Sequence, residues 1–178
     1  CLVGSEMCIR DRATHSYAPI QLSRYVTTVA NSGTCYDLTL IDQVKDVNGN
    51  VILDNHAKVR NTVNIANSTW KAVHNGMYRV VNGSRSSIGS MFSGMKVKIA
   101  GKTGTAQQSK LHANHAYFVS YAPYKNPEIS VTCVIPNGFT SSNAAQTARD
   151  VYKYYFSKNK KKVSGKIKMP ESNTTHTD

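Results

Sequence analysis

The chain has 178 residues, enough for one domain with a sizeable core and too few for two. Hydrophobic residues supply 40% and charged residues 18%, which excludes a disordered or fibrous chain, and no apolar run reads as a bilayer span or secretory leader. Lysine and arginine outnumber the acids 22 to 10, a net charge of +12, which points to nucleic acid or an anionic surface until the positions are read.

Residues 1–12, CLVGSEMCIRDR, show neither helical nor alternating periodicity and are read as a non-native, adapter-derived segment. That sets aside two of the four cysteines, Cys1 and Cys8. Pro19-Ile20-Gln21-Leu22 opens a helix, with Leu22, Val26, Val29 and Ala30 on one face and Gly33 as its left-handed cap. Leu38 to Lys45 and Val51 to Leu53 are expected as strands around the hairpin signal Asn48-Gly49. Ser68 is expected to cap a second helix whose buried face holds Trp70, Val73, Met77, Val80 and Val81. Met95, Val97 and Ile99 alternate with Lys96 and Lys98, predicting a strand that runs on into Gly101-Lys102-Thr103-Gly104-Thr105.

His115 to Tyr121 is a second strand, followed by a turn from Ala122-Pro123 to Asn126-Pro127. Ile129 to Ile135 is a third, nearly all apolar and therefore expected at the sheet centre. Ser142 is expected to cap a last helix that buries Ala144, Ala145, Ala148, Val151, Tyr152, Tyr155 and Phe156. The fold class is α+β, an antiparallel sheet covered by helices. Cys35 and Cys133 have no C-x-x-C or Cys/His company, so both read as small buried hydrophobes.

From Ser157 the composition changes to lysine among polar residues, so 157–178 reads as a disordered tail. The tail carries +4 of the net charge, and the other basic residues are scattered without aromatic interleaving. Nucleic acid is therefore not expected as a partner; attraction of the tail to an anionic membrane or wall polymer fits better. His112 and His115 share an H-x-x-H spacing, but no Asp, Glu or Cys stands near, so no metal site is expected. Arg79, Arg85 and Lys110 could border a cleft, although surface charge is the better default. No cofactor is indicated.

Gly101-Lys102-Thr103-Gly104-Thr105-Ala106-Gln107 carries the chemistry. A phosphate-binding loop would need glycine where Lys96 stands, so that reading fails. Lys-Thr-Gly on a strand also suits serine acyl transfer on a peptide with a free carboxylate. Lysine supplies a fixed positive charge that orients the carboxylate and tunes proton traffic at the nucleophile. Strand alternation puts Thr103 and Thr105 on one face, where their hydroxyls can bind carboxylate oxygens. Gly104 lets substrate backbone lie close, and a strand-edge amide can serve as an oxyanion donor.

Lys-Thr-Gly is the third motif of penicillin-binding proteins. Residues 13–156 resemble the C-terminal part of their transpeptidase domain, closest to the monofunctional class B, elongation type. The matching stretches are Tyr17 to Leu22, Val29 to Thr34, Gly76-Met77, Ala100 to Gln107 and His115 to Pro123, in family order. The resemblance implies Lys102 as a catalytic residue, Thr103, Gly104 and Thr105 as substrate-binding residues, and the Thr105 backbone N–H as an oxyanion donor. It implies peptidoglycan stem peptides and β-lactams as ligands, and cell-wall synthesis partners. It also implies a membrane-anchored parent at the extracytoplasmic face of the bacterial membrane.

The resemblance further places the serine nucleophile, in an S-x-x-K motif, and the second motif before this region. No S-x-x-K nucleophile is expected in 13–156, and Ser157-Lys158-Asn159-Lys160 fits the letters only in the tail. The chain is thus expected to be a transpeptidase fragment, inactive alone. A non-catalytic peptidoglycan-binding scaffold and a β-lactam sensor on the same fold are the alternatives. A partial domain exposes apolar faces, so the chain expressed alone should be poorly soluble; a monodisperse, cooperatively unfolding preparation would contradict this.

Overall fold

The computed structural model describes residues 17–106 and 111–157. The expectations for residues 1–12, for Lys110 and for the tail beyond Ser157 lie outside the described residues. Helix α1, Pro19–Ala30, starts with proline where an amide would go unpaired, and Gln21 Oε1 accepts from the Ala18 N–H at 2.8 Å. Its apolar stripe buries Leu22, Val26 and Val29 as predicted. The end of α1 differs by one residue from expectation: Ser32, at φ 51°, is the first left-handed position, and Gly33 follows at φ 104°. Ser32 N–H reaches the Val29 carbonyl and Gly33 N–H the Thr28 carbonyl, the paired bonds of a Schellman ending.

Two small ribbons follow. β1, Thr34–Tyr36, pairs antiparallel with β4, Val59–Thr62. β2, Gln43–Lys45, pairs with β3, Val51–Asp54, across a loop in which Asp46 accepts bonds from the Asn48 and Asn50 amides. The hairpin around Asn48-Gly49 is present, but its first strand begins at Gln43, and residues 38–42 are not strand. Sequence reading did not predict the β1–β4 ribbon. Its strands are three and four residues long, and β4 is exposed throughout, so neither carries a burial period.

Helix α2, Asn67–Asn82, begins after Ala66, so Ser68 lies inside its first turn and does not cap it. Trp70 and Val81 are buried, Met77 and Val80 half-buried, and Val73 is exposed, contrary to expectation. His74 Nε2 donates to the Val29 carbonyl at 2.7 Å, tying α2 to the end of α1. After a short 3-10 turn at Gly89–Phe92, residues 95–99 alternate in burial without joining a sheet. The lysines at 96 and 98 point outward because an extended segment alternates sides whether or not it is paired.

The main sheet is β5, Ala100–Ala106; β6, His115–Ala122; and β7, Ile129–Ile135, antiparallel and in that spatial order. β6 is therefore the central strand, with seven of its eight residues buried. The apolar β7 was expected there, yet all its residues are half-buried, and among the described residues no strand lies beyond it. Helix α3, Ser141–Tyr155, covers one face. Its cap is Thr140, whose Oγ1 accepts from the Ser142 amide at 3.4 Å, in place of the expected Ser142. Ala144, Ala145, Ala148 and Tyr152 pack on Ala116, Phe118 and Ala122, while Val151 is exposed. Tyr152 Oη donates to Ser120 Oγ at 2.9 Å, which donates on to the Val131 carbonyl at 3.3 Å. Buried hydroxyls are costly unless paired, and this chain pairs both.

α1 covers the other face, Leu22 meeting Ala106 and Tyr117, and Val26 meeting Ala100 and Tyr121. Cys35 is buried as expected; Cys133 is half-buried on β7, and burial pushes its thiol pKa up.

Gly101 faces α3, where a Cβ would stand 2.6 Å from Phe118 Cζ and 3.0 Å from Ser120 Cβ. Both neighbours are fully buried and cannot yield, so Gly101→Val should lower unfolding free energy by about 1–3 kcal/mol in denaturant titration. Tyr121 Oη is buried without a partner, and burial, reinforced by the Tyr124 phenol, pushes its pKa up to about 12. The folded state thus retains a proton that the unfolded state, titrating near 10.0, loses first. Stability should be intact below pH 10 and fall as pH rises from 10 towards 12. Tyr121→Phe should flatten that fall in melts run across the alkaline range, with little change near neutrality.

Candidate active site

β5 positions the motif. Its pairing with β6 sets Lys102 opposite Val119, Thr103 opposite Phe118, Gly104 opposite Tyr117 and Thr105 opposite Ala116. Side chains alternate across a strand, so Lys102 and Gly104 belong to the face that α1 covers, and Thr103 and Thr105 to the α3 face. The two threonines do share a face, and Lys102 stands on the other. A Cβ at Gly104 would come within 3.3 Å of Tyr117 Cβ, so glycine is the residue that fits beside that ring.

Among the described residues β5 is also an edge strand. Its backbone amides and carbonyls alternate between β6 and the open side, and residues two apart point the same way. Thr103 and Thr105 thus present their backbone groups to the same side. The Thr103 carbonyl accepts a hydrogen bond from Lys102 Nζ at 2.7 Å. A molecule lying along that open edge would meet Lys102 from one face, the threonine hydroxyls from the other, and backbone donors between them.

Beside the strand lies a cavity of about 630 Å³. Lys102, Thr103 and Gly104 form its β5 wall, with Tyr117 and Val119 behind; Thr105 does not line it. The facing wall is α1, where Gln21, Arg24, Tyr25 and Thr28 share a stripe spaced three and four apart. Leu22, Met77 and Cys35 add apolar lining, and among the described residues no acidic side chain takes part. Arg24 was not anticipated at the site. Its stripe lies beside the buried face of α1, with Gln21 and Tyr25 exposed and Arg24 and Thr28 half-buried, and the position of α1 beside β5 makes it border the cavity.

Arg79 and Arg85 are exposed and do not line the cavity. His115 is buried and its Nδ1 accepts from the Asn137 amide at 2.9 Å, while His112 is exposed. Among the described residues no group of three or more His, Cys, Asp or Glu side chains gathers. Two S-x-x-K strings do occur within 13–156, Ser68-Thr69-Trp70-Lys71 and Ser93-Gly94-Met95-Lys96, which corrects the expectation of none. All four serine and lysine residues are exposed and none lines the cavity, so the letters there carry no nucleophile to the strand motif.

The family model described as the penicillin binding protein transpeptidase domain matches residues 13–153. The chain is 34% identical over 152 residues to penicillin-binding protein 2B of Streptococcus pneumoniae serotype 2, covering 79% of this chain and 22% of that protein. It is 34% identical over 156 residues to the peptidoglycan D,D-transpeptidase MrdA of Haemophilus influenzae, covering 77% and 23%. The solved structure of penicillin-binding protein 2B from Streptococcus pneumoniae superposes with a TM-score of 0.69 at 31% identity, over 80% of this chain and 26% of that one. The chain therefore spans under a quarter of the length of these two curated relatives. A three-stranded sheet with Lys-Thr-Gly-Thr on its open edge, matched by one family model along 13–153, leaves a single conclusion: this chain belongs to the penicillin-binding protein transpeptidase domain family.

Proposed function

We propose that this chain supplies the third-motif wall of a penicillin-binding D,D-transpeptidase that cross-links peptidoglycan stem peptides by serine acyl transfer. The observation that carries this reading is Lys102-Thr103-Gly104-Thr105 on an accessible edge strand that also walls a cavity. In the reaction a serine oxygen, held elsewhere in the protein, bonds to the carbonyl carbon of the penultimate D-Ala. The C–N bond to the terminal D-Ala breaks, and that residue leaves as the free amine after taking up a proton. An amine from a neighbouring stem then displaces the serine, which regains its proton. A β-lactam takes the donor's place when its ring amide opens onto the same serine.

Each motif residue has a part that its position supports. Lys102 brings a fixed positive charge to the reacting end, assisting proton transfer and holding the donor's negative charge. The Thr103 and Thr105 hydroxyls accept the terminal carboxylate as hydrogen-bond donors. The Thr105 N–H stabilises the oxyanion as the carbonyl becomes tetrahedral, a contribution made mainly in the transition state. Gly104, level with Tyr117, keeps the strand low enough for the donor backbone to approach. Family membership supports a setting in bacterial wall synthesis, with catalysis at the extracytoplasmic face of a membrane-anchored protein.

The test is covalent labelling. The complete gene product containing these residues should take up fluorescent penicillin, and Lys102→Met should slow acylation by about 100-fold or more. A folded, complete protein that never labels would refute the proposal, and labelling at an unchanged rate in Lys102→Met would remove the role of that lysine.

A further inference from the structure

Asn82, the last residue of α2, makes two bonds that link its helix to the approach of β5. Its Nδ2 donates to the Tyr78 carbonyl at 3.0 Å and to the Ile99 carbonyl at 2.8 Å. The first bond ties the side chain to its own helix, one turn back; the second reaches the residue immediately before β5. Ile99 and Ala100 are buried, so a carbonyl there needs a donor, and a side-chain amide brings two N–H groups to serve two acceptors. One residue earlier, the Lys98 carbonyl is taken from the other side by the Tyr124 N–H at 2.7 Å. The Tyr78 and Tyr124 rings pack on each other, with centroids 4.7 Å apart. Two successive carbonyls are thus held from opposite sides, and α2 closes the circuit between them.

From this geometry we propose that Asn82 is a positioning residue for the Lys102-Thr103-Gly104-Thr105 strand, setting where the Lys102 ammonium and the Thr105 N–H stand. Its effect on catalysis rests on the acyl-transfer reading; the tie itself stands on the two hydrogen bonds. Backbone groups two apart on a strand point the same way, so the Ile99 carbonyl shares its side with those of Gly101, Thr103 and Thr105. The ladder to β6 fixes the register of β5 from one side, and Asn82 fixes the start of the strand from the other. Lys102 follows three residues later, about 10 Å along the strand. A lever of that length turns a small swing at Ile99 into a displacement of the reacting groups, and acyl transfer tolerates little misplacement. The end of α2 is itself firmly held. Gly83 N–H donates to the Arg79 carbonyl and Ser86 Oγ to the Val80 carbonyl, so with Asn82 on Tyr78 three consecutive carbonyls of the last turns have donors.

The test uses the complete gene product containing these residues, with two variants. Asn82→Leu keeps the bulk and withdraws both donors. Asn82→Asp keeps the shape but adds a negative charge at a helix C-terminus, where it is unfavourable, so Asn82→Leu decides the matter if Asn82→Asp does not fold. In variants that melt above the assay temperature, the acylation rate at saturating fluorescent penicillin should fall about tenfold, with the penicillin concentration giving half that rate unchanged. Hydrogen exchange read by mass spectrometry should quicken about tenfold at the backbone amides of 100–106 and stay as in the wild type over β7. A general loss of stability would instead quicken exchange across the whole sheet. An unchanged saturating rate in folded Asn82→Leu, a loss confined to the half-saturating concentration, or exchange raised equally in β5 and β7 would each overturn the proposal. The two readouts separate it from the enzyme reading. A wild-type protein that never labels sinks that reading, and exchange at 100–106 then decides the tie alone: no local change in Asn82→Leu overturns it, and a change confined to β5 keeps it.

Discussion

The ladder between β5 and β6 is the constraint on which the site depends. It runs without a shift from Ala100↔Tyr121 to Ala106↔His115, and because side chains alternate, one residue of slip would reverse every position of the motif. Lys102 would then turn towards α3, among Phe118 and the alanines that helix packs there. Glycines stand at the two points where the ladder has least room, Gly101 against Phe118 and Gly104 against Tyr117, one on each face. Any shifted register would bring side chains with a Cβ to those points. Local crowding and the cost of burying a lysine thus favour the same alignment.

The second wall follows from α1, which uses two stripes at once. Leu22, Val26 and Val29 bury on the sheet, and the neighbouring stripe of Gln21, Arg24, Tyr25 and Thr28 borders the cavity. Burial of the first stripe orients the second. The far end of the helix is pinned where Ser32 and Gly33 take left-handed conformations and His74 bonds the Val29 carbonyl. The Val63 carbonyl and the Trp70 ring leave no room for a side chain at Gly33. The cavity wall is therefore fixed by contacts at its opposite end, remote from the motif.

Charge tells a different story from the total. Of the net +12, Arg24 and Lys102 border the cavity, and none of its described lining residues is acidic. Several exposed apolar residues, among them Leu40, Val47 and Ile52, lie in the segment between α1 and α2.

Much of this was legible in the chain of amino acids. The helices at Pro19, Trp70 and Ala144 and the strands at Lys102, His115 and Ile129 follow from periodicity, because burial on one side imposes 3.6- and 2-residue repeats. The motif itself is local, seven consecutive residues whose chemistry survives any change of context. What sequence could not reveal were properties of neighbours distant along the chain. Apolar content suggested that β7 was central, yet strand order is decided by pairing, and β6 holds that place. The β1–β4 ribbon joins segments too short to show a period. Arg24 carried no signal of its own in the sequence, since a helix face has no environment until something packs beside it. The sequence by itself determined the elements and the reactive motif; only tertiary packing decided which faces meet around the cavity, because alternation assigns side chains to faces but not faces to partners.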